Sequence, residues 1–323
     1  MTVRPVLVLA PLVVVLAGLS LLAGKVWLPL DVLTTPGPEH WILIELRLPR
    51  MLLGLAIGAT LGLSGAVLQG YFRNPLADPG VVGVSSGAAL GAVGAIFFGL
   101  AISPAALFGV AMAGATAVML VLGGLAGRAA SPVTLVLAGA VMSSITGALT
   151  ALLISLAPSP FATGEIVNWL MGALTDRGFD ELRLALPLMA LGGALLATTG
   201  RALDALSLGE ATARSLGVSM QRLQLLVIAG MGLAVGASVA VSGVVGFVGL
   251  IVPHLLRPWV GARPSALLLP SALGGAALVL AADSLVRLSP GAGEVRLGVA
   301  MALIGGPFFV YLLLKRRGAL AWG

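Results

Sequence analysis

The chain has 323 residues, of which 59% are hydrophobic and only 9% charged, with no cysteine and a formal net charge of +6. A soluble domain carries roughly 25% charged residues to cover its surface, so this composition excludes a water-exposed exterior, and the missing cysteines exclude disulfides and thiolate metal sites. Apolar runs of about 20 residues, rather than the alternation of barrel strands, point to membrane-crossing helices, whose backbone polar groups are satisfied internally.

In chain order the predicted spans are 5–24, 48–70, 81–101, 105–127, 132–157, 183–200, 222–243, 244–260, 265–286 and 296–314. The expected fold is therefore an all-α polytopic membrane protein of about ten transmembrane helices, one membrane domain over residues 1–323. The first run follows Arg4 and precedes Lys25 and Trp27 without a clear small-residue cleavage site, so it reads as a retained span. Ser103-Pro104 and Ser131-Pro132 each place a hydroxyl cap before a proline at the first helical position. With both termini inside, the inward segments hold Arg4, Arg73, Arg128, Arg201, Arg214, Arg222, Arg257, Arg263 and Lys315-Arg316-Arg317 against Asp78, Asp204 and Glu210. That excess of Lys and Arg is the inward bias of bacterial membrane proteins, and no basic solvated domain is long enough for nucleic-acid binding.

Four stretches stand out. Arg47-Leu48-Pro49-Arg50 precedes the second span on the outer side. It reads either as arginines snorkelling at a helix end or as a cationic dock for an acidic external partner, which Arg287 would join. Asn74-Pro75 and Asp78-Pro79 are turn formers, because a residue before proline is pushed out of the helical region, so a rigid reversal is expected at the inner face. The glycines flanking it, Gly54, Gly58 and Gly62 before and Gly83, Gly87 and Gly91 after, recur every four residues, as helix-packing faces do. In the inward loop 201–222, Ser207-Leu208-Gly209-Glu210 has the form of a capping box. It predicts a short helix over about Leu208–Leu216 ended by Gly217, with Leu208, Ala211 and Leu216 as its exposed apolar residues. Such a helix packs either on its own bundle or in a cleft of a cytoplasmic partner. Around Gly243, Gly246 and Gly249 the span boundaries are least defined, and Pro253 is expected to interrupt or end the eighth span.

Residues 58–67 match residues 236–245, with half of the positions identical, at an offset that also pairs Pro75 with Pro253 and Gly83 with Gly261. This repeat relates the second span to the seventh, in opposite orientation, as in transporters built from inverted halves. The halves would be about 1–180 and 181–323, with five spans each.

Enzymatic readings fare poorly. Gly62-Leu63-Ser64-Gly65 has the form of an intramembrane serine protease site with His254 as base, but the two lie at different depths and a dyad needs hydrogen-bond contact. Lys25 lacks the glycine and hydroxyl of a phosphate loop. With only two histidines no histidine metal cage is available, and an ion-coupled transporter would rest on Asp283 alone.

The stretches R-L-P-R at 47–50, S-G-A-V-L-Q-G at 64–70, R-N-P-L-A-D-P-G at 73–80, G-V-S-S-G-A at 83–88, L-G-E-A-T-A-R-S-L-G-V at 208–218, G-F-V-G-L-I-V-P-H at 246–254 and G-G-P-F-F at 305–309 resemble the FecCD-type permeases of ABC importers for iron–siderophore, haem and vitamin B12. The resemblance covers nearly the whole chain. It implies a permease in the bacterial cytoplasmic (inner) membrane with both termini cytoplasmic, moving an iron chelate or cobalamin inward. It implies a homodimer or a heterodimer of related chains, two cytoplasmic ATPase subunits and an external substrate-binding protein. No cofactor is held by this chain, ATP and Mg belonging to the ATPase. By the same resemblance, Arg47, Arg50 and Arg287 dock the binding protein, and Ser207, Leu208, Gly209, Glu210, Ala211, Arg214, Leu216 and Gly217 couple to the ATPase. The path follows 132–157, with the inner turn and gate at Asn74, Pro75, Asp78, Pro79, Ser131 and Pro132.

Overall fold

The computed structural model describes residues 3–33, 37–126, 132–261, 263–289 and 293–320. Eight of its helices are long and apolar enough to cross a membrane, and two apolar helices are shorter; together they correspond to the ten predicted runs. The long ones contain α1 (Val3–Leu22), α3 (Leu48–Tyr71), α5 (Pro104–Ala126), α6 (Pro132–Ser155), α8 (Phe179–Thr198), α11 (Met220–Ser242), α13 (Pro264–Arg287) and α14 (Leu297–Leu320). The short ones are α4 (Val84–Phe97) and α12 (Val248–Val260). At 13 residues, α12 extends only ~20 Å, short of the ~30 Å hydrocarbon core.

One of the predicted caps is seen directly. The Ser103 hydroxyl accepts from the Ala106 N–H at 3.2 Å, one residue before Pro104 opens α5. Ser131 lies outside the described residues, while Pro132 is the first residue of α6. The pattern misses several short elements, among them three outside the spans and the 201–222 loop. A short helix α2 (Pro38–Trp41) and a π-helical segment (Ile42–Arg47) extend α3 backwards into one rod from Pro38 to Tyr71. Helix α7 (Pro160–Leu170), capped by Ser159, carries Glu165 and Asn168 and is too short for a span window.

Helices α3 and α11, the pair matched by the repeat, are the most buried of the long helices. They run antiparallel. Helix α3 starts at the Arg50 end and finishes with Gly70 against Leu203 and Pro264, whereas α11 ends at Gly243, packed on Trp169 and Gly172. Each is followed by a break and a short apolar helix. The predicted glycine faces are contact faces: Gly58 and Gly62 meet the α13 backbone at Gly275 and Ser271, and Gly87 and Gly91 meet α5 at Gly114 and Val110. Backbones approach this closely only where side chains are absent, and such contact replaces the hydrophobic drive that lipid cannot supply.

Candidate functional site

At one end of the bundle sits a buried charge cluster. Arg50 is 9% exposed, Arg287 4% and Asp283 1%. Arg50 grips Asp283 with a fork, Nε at 3.1 Å and Nη2 at 2.9 Å, and its Nη2 also reaches Glu294 Oε2 at 2.8 Å. Arg287 Nε lies 3.2 Å from the other Asp283 oxygen. Thr175 donates to Glu294 at 3.0 Å, tying the segment before α14 into the cluster.

The remaining donors close the C-terminus of α1, whose last carbonyls have no partner within the helix. Arg47 Nη1 donates to the Leu21 and Leu22 carbonyls, and Arg287 Nη1 to those of Ser20 and Ala23. Cations at the negative end of a helix dipole are favourable as well as hydrogen-bonded. Arg47, Arg50 and Arg287, the three arginines expected at a binding-protein dock, all direct donors to partners within the chain in this conformation. Asp283, the single acid considered as an ion relay, is likewise matched by two guanidinium groups at a helix end.

The second feature lies where the two helix breaks meet. Asn74 and Asp78 form the expected turns, their side chains accepting from Leu76 N–H at 3.0 Å and Gly80 N–H at 2.8 Å. A single-turn 3-10 segment, Pro79–Val82, then leads through Gly83 (φ 83°) into α4. The other break runs from Gly243 to Phe247, which opens α12 at φ 67°, a conformation uncommon for a bulky residue. The breaks touch: a Cβ on Gly249 would strike the Pro79 ring and the Leu61 carbonyl, and Asp78 also accepts from the Leu250 N–H at the start of α12. Both breaks are packed in protein and line a cavity, the setting in which a membrane protein tolerates non-helical backbone. A cavity of about 510 Å³ opens beside the breaks, between Asp78, Gly80, Gly246, Phe247, Leu250, Ala140 and Ser143 of α6, and Phe309 of α14. Helix α6 continues it with an exposed stripe of Ala140, Ser144, Gly147, Ala148 and Ala151.

At the opposite end from the charge cluster, α9 (Gly200–Ser207) and α10 (Glu210–Ser215) form a hairpin. The capping box does not form. Ser207 is the last residue of α9, its hydroxyl donating to the Asp204 carbonyl at 2.6 Å, and Gly209 at φ 106° precedes α10 without a side-chain cap. Glu210 pairs with Arg214 at 2.6 Å instead. The helix ends as predicted: Gly217 takes φ 83°, with Val218 N–H on the Ala213 carbonyl and Gly217 N–H on that of Arg214, a Schellman closure. Leu208 (66%), Leu216 (62%) and Ala211 are exposed.

Residues 12–315 match the FecCD transport family. The chain belongs to that family. It is 42% identical, over 87% of its length and 76% of the relative's, to the cobalamin import system permease BtuC of Halobacterium salinarum. It is 39% identical, over 98% and 96%, to the vitamin B12 import system permease BtuC of Shigella boydii. It is 37% identical, over 94% and 96%, to the Fe(3+) dicitrate permease FecD of Escherichia coli. A solved structure described as a metal-chelate type ABC transporter in an inward-facing conformation superposes with a TM-score of 0.87 at 36% identity, covering 97% of this chain and 99% of that one. PsaBC from Streptococcus pneumoniae, at 18% identity and a TM-score of 0.52, shares the fold alone. The chain is thus a multi-pass permease subunit of an ABC importer.

In this FecCD permease the serine-protease geometry is absent: the buried Ser64 hydroxyl has no hydrogen-bond partner, and His254 stands edge-on to Phe308 at 6.1 Å. Among the described residues no group of His, Asp and Glu is placed to hold a metal ion. Sequence reasoning missed two polar anchors. Gln69, buried near the end of α3, donates to the Gly249 carbonyl at 3.2 Å and accepts from Arg257 at 2.8 Å; a lone amide closing an apolar motif marks the position without showing its partners. Asp204 joins the hairpin to α13, accepting from Ser265 N–H at 2.8 Å, Ser265 Oγ at 2.6 Å and Arg263 Nε at 2.8 Å.

Partial burial opposes ionisation of Asp204, but the hydrogen bonds from Ser265 and Arg263 outweigh it, and its carboxyl titrates below the ordinary range. Because the folded value is depressed, this stabilisation is present above about pH 4 and is lost as pH falls through the folded value. Asp204→Ala is expected to lower stability by about 1.5–3 kcal/mol near neutrality and to flatten the acid limb. Thermal unfolding of the purified permease across pH reads both, and an unaltered acid limb in the variant would refute the assignment.

Proposed function

We propose that this permease moves a bulky metal chelate, an iron–siderophore complex or haem, inward across the bacterial cytoplasmic membrane. Its power would come from separate ATPase subunits acting on the α9–α10 hairpin. The observation that carries the reading is the meeting of two helix breaks, one from each half of the repeat, at a largely apolar cavity beside α6 that holds one carboxylate, Asp78. Paired interruptions of this kind mark substrate sites in repeat-built transporters. The lining offers small residues, two phenylalanines and one carboxylate, which suits a large, weakly charged ligand. The relatives' names favour cobalamin as the second reading.

In this scheme two copies assemble with their α6 stripes on the path, the hairpin end and both termini are cytoplasmic, and the Arg50 end faces a binding protein. A carboxylate on that protein would reach Arg50 by displacing Glu294. Residues Asn74, Pro75, Asp78, Pro79, Ser131 and Pro132 form the inner gate.

Reconstitution with the cognate ATPase and binding protein, comparing uptake of labelled iron chelates with labelled cobalamin, tests the substrate. Saturable uptake of cobalamin alone would replace the chelate reading. Coupling is tested by Leu216→Asp, which puts a charge on the exposed apolar hairpin face, and by Glu210→Arg, which sets like charges four residues apart. Both are expected to insert and fold normally while cutting uptake at least tenfold; normal uptake in both would sink the coupling assignment.

A further inference from the structure

A second groove, of about 380 Å³, lies between the α9–α10 hairpin and the start of α11. Its wall is apolar, built from Ala202, Ala205, Leu216, Val218, Leu223 and Leu226, with the end of α8 at Thr198 and Thr199 closing one side. Arg201 and Arg222 stand on its rim, and both are exposed. Neither guanidinium is in an ion pair or side-chain hydrogen bond among the described residues. The hairpin end holds acids that could have neutralised them, but these are engaged elsewhere: Glu210 by Arg214 at 2.6 Å and Asp204 by Arg263 at 2.8 Å. The groove is thus an apolar trough under two uncompensated positive charges.

Its position selects the ligand. It lies beside the last residues of α8 and the first two turns of α11, which hold Leu223 and Leu226. Both helices belong to stretches long and apolar enough to cross a membrane, a position suited to a headgroup layer. Basic pockets between transmembrane helices at a membrane face are suited to acidic lipid headgroups. An inorganic anion would satisfy the arginines and leave the apolar wall wet. A diacyl phosphate ester covers both, its phosphodiester between Arg201 and Arg222 and its glycerol and first methylenes along the leucines. We propose that this groove binds the phosphodiester headgroup of an anionic phospholipid, and that the bound lipid braces the hairpin against α11 through Leu216 and Val218. The proposal does not depend on the transported substrate, and the permease alone suffices to test it.

Native mass spectrometry of the purified full-length permease, titrated with phosphatidylglycerol or with phosphatidylcholine, reads the site directly. One phosphatidylglycerol per chain is expected to be retained with about tenfold preference over phosphatidylcholine, since each arginine near a charged lipid surface contributes severalfold. Arg201→Gln/Arg222→Gln is expected to abolish that preference. Arg201→Lys/Arg222→Lys, which keeps the charges, should retain most of it, and Arg183→Gln at the opposite end should leave it intact. Equal retention of the two lipids by the wild-type chain overturns the proposal, whatever the folding of the variants, and so does undiminished preference in the glutamine pair. Displacement of the lipid by millimolar inorganic phosphate would make the groove a small-anion site and overturn it equally.

Discussion

Asp283→Ala is expected to destabilise the folded permease by about 3–5 kcal/mol, the loss associated with removing one partner of a buried ion pair. The magnitude follows from what is left behind. Asp283 is buried between the forked guanidinium of Arg50 and Nε of Arg287. Without it two arginines face each other with only Glu294, a half-buried group, on the Arg50 side. Glu294→Gln should have a far smaller effect, about 1 kcal/mol or less, because an ion pair near solvent contributes little. Partial burial opposes ionisation of Glu294, but Arg50, Thr175 and Arg287 hold its carboxyl below the usual glutamate range. Its contribution is therefore complete above about pH 4 and disappears only in stronger acid. Thermal unfolding in detergent ranks the variants, and a Glu294→Gln loss equal to that of Asp283→Ala would show that the cluster is not organised around Asp283.

This cluster also shows what the sequence can and cannot convey. The spans are legible because one rule dominates them: a stretch that faces lipid must be apolar for its whole length, and that rule acts locally. The turns at Asn74 and Asp78 and the stop at Gly217 are legible for the same reason, since a side chain or a left-handed glycine satisfies the adjacent backbone. The role of Arg47 and Arg287 is not local. They cap a helix that ends at Leu22, and Arg287 reaches it across more than 260 residues of chain. The R-L-P-R motif marks Arg47 and Arg50 as notable without saying what they bind. The capping box fails for a different reason. Its residues are present, but Gly209 admits a backbone turn with φ 106°, so α9 runs on through Ser207 and a new helix starts after it. Local pattern and local flexibility compete there, and only the packed hairpin decides.

Gly62→Val is expected to disrupt the permease severely, because there is nowhere for a side chain to go. A Cβ at this position falls on the Ser271 carbonyl oxygen and 2.9 Å from its carbon, and a Cβ at Gly58 lies 2.7 Å from the Gly275 carbonyl carbon. These neighbours are backbone, so relief requires separating α3 from α13. That separation pulls apart the two helices that carry Arg50 and Asp283 at one end and Gly70 and Pro264 at the other. Overpacking a core that can adjust costs roughly 1–3 kcal/mol; here the obstacle is a helix axis, and loss of the folded, monodisperse permease is expected. Gly94→Ala and Gly109→Ala supply the contrast, since a Cβ at either meets nothing within 4 Å and replaces a weak helix former with a strong one. They should be neutral or mildly stabilising. Size-exclusion profiles and unfolding temperatures of the three variants decide the matter. If Gly62→Val behaves like the other two, α3 and α13 do not meet at their glycines, and the rigid rod between the charge cluster and the hairpin end does not exist.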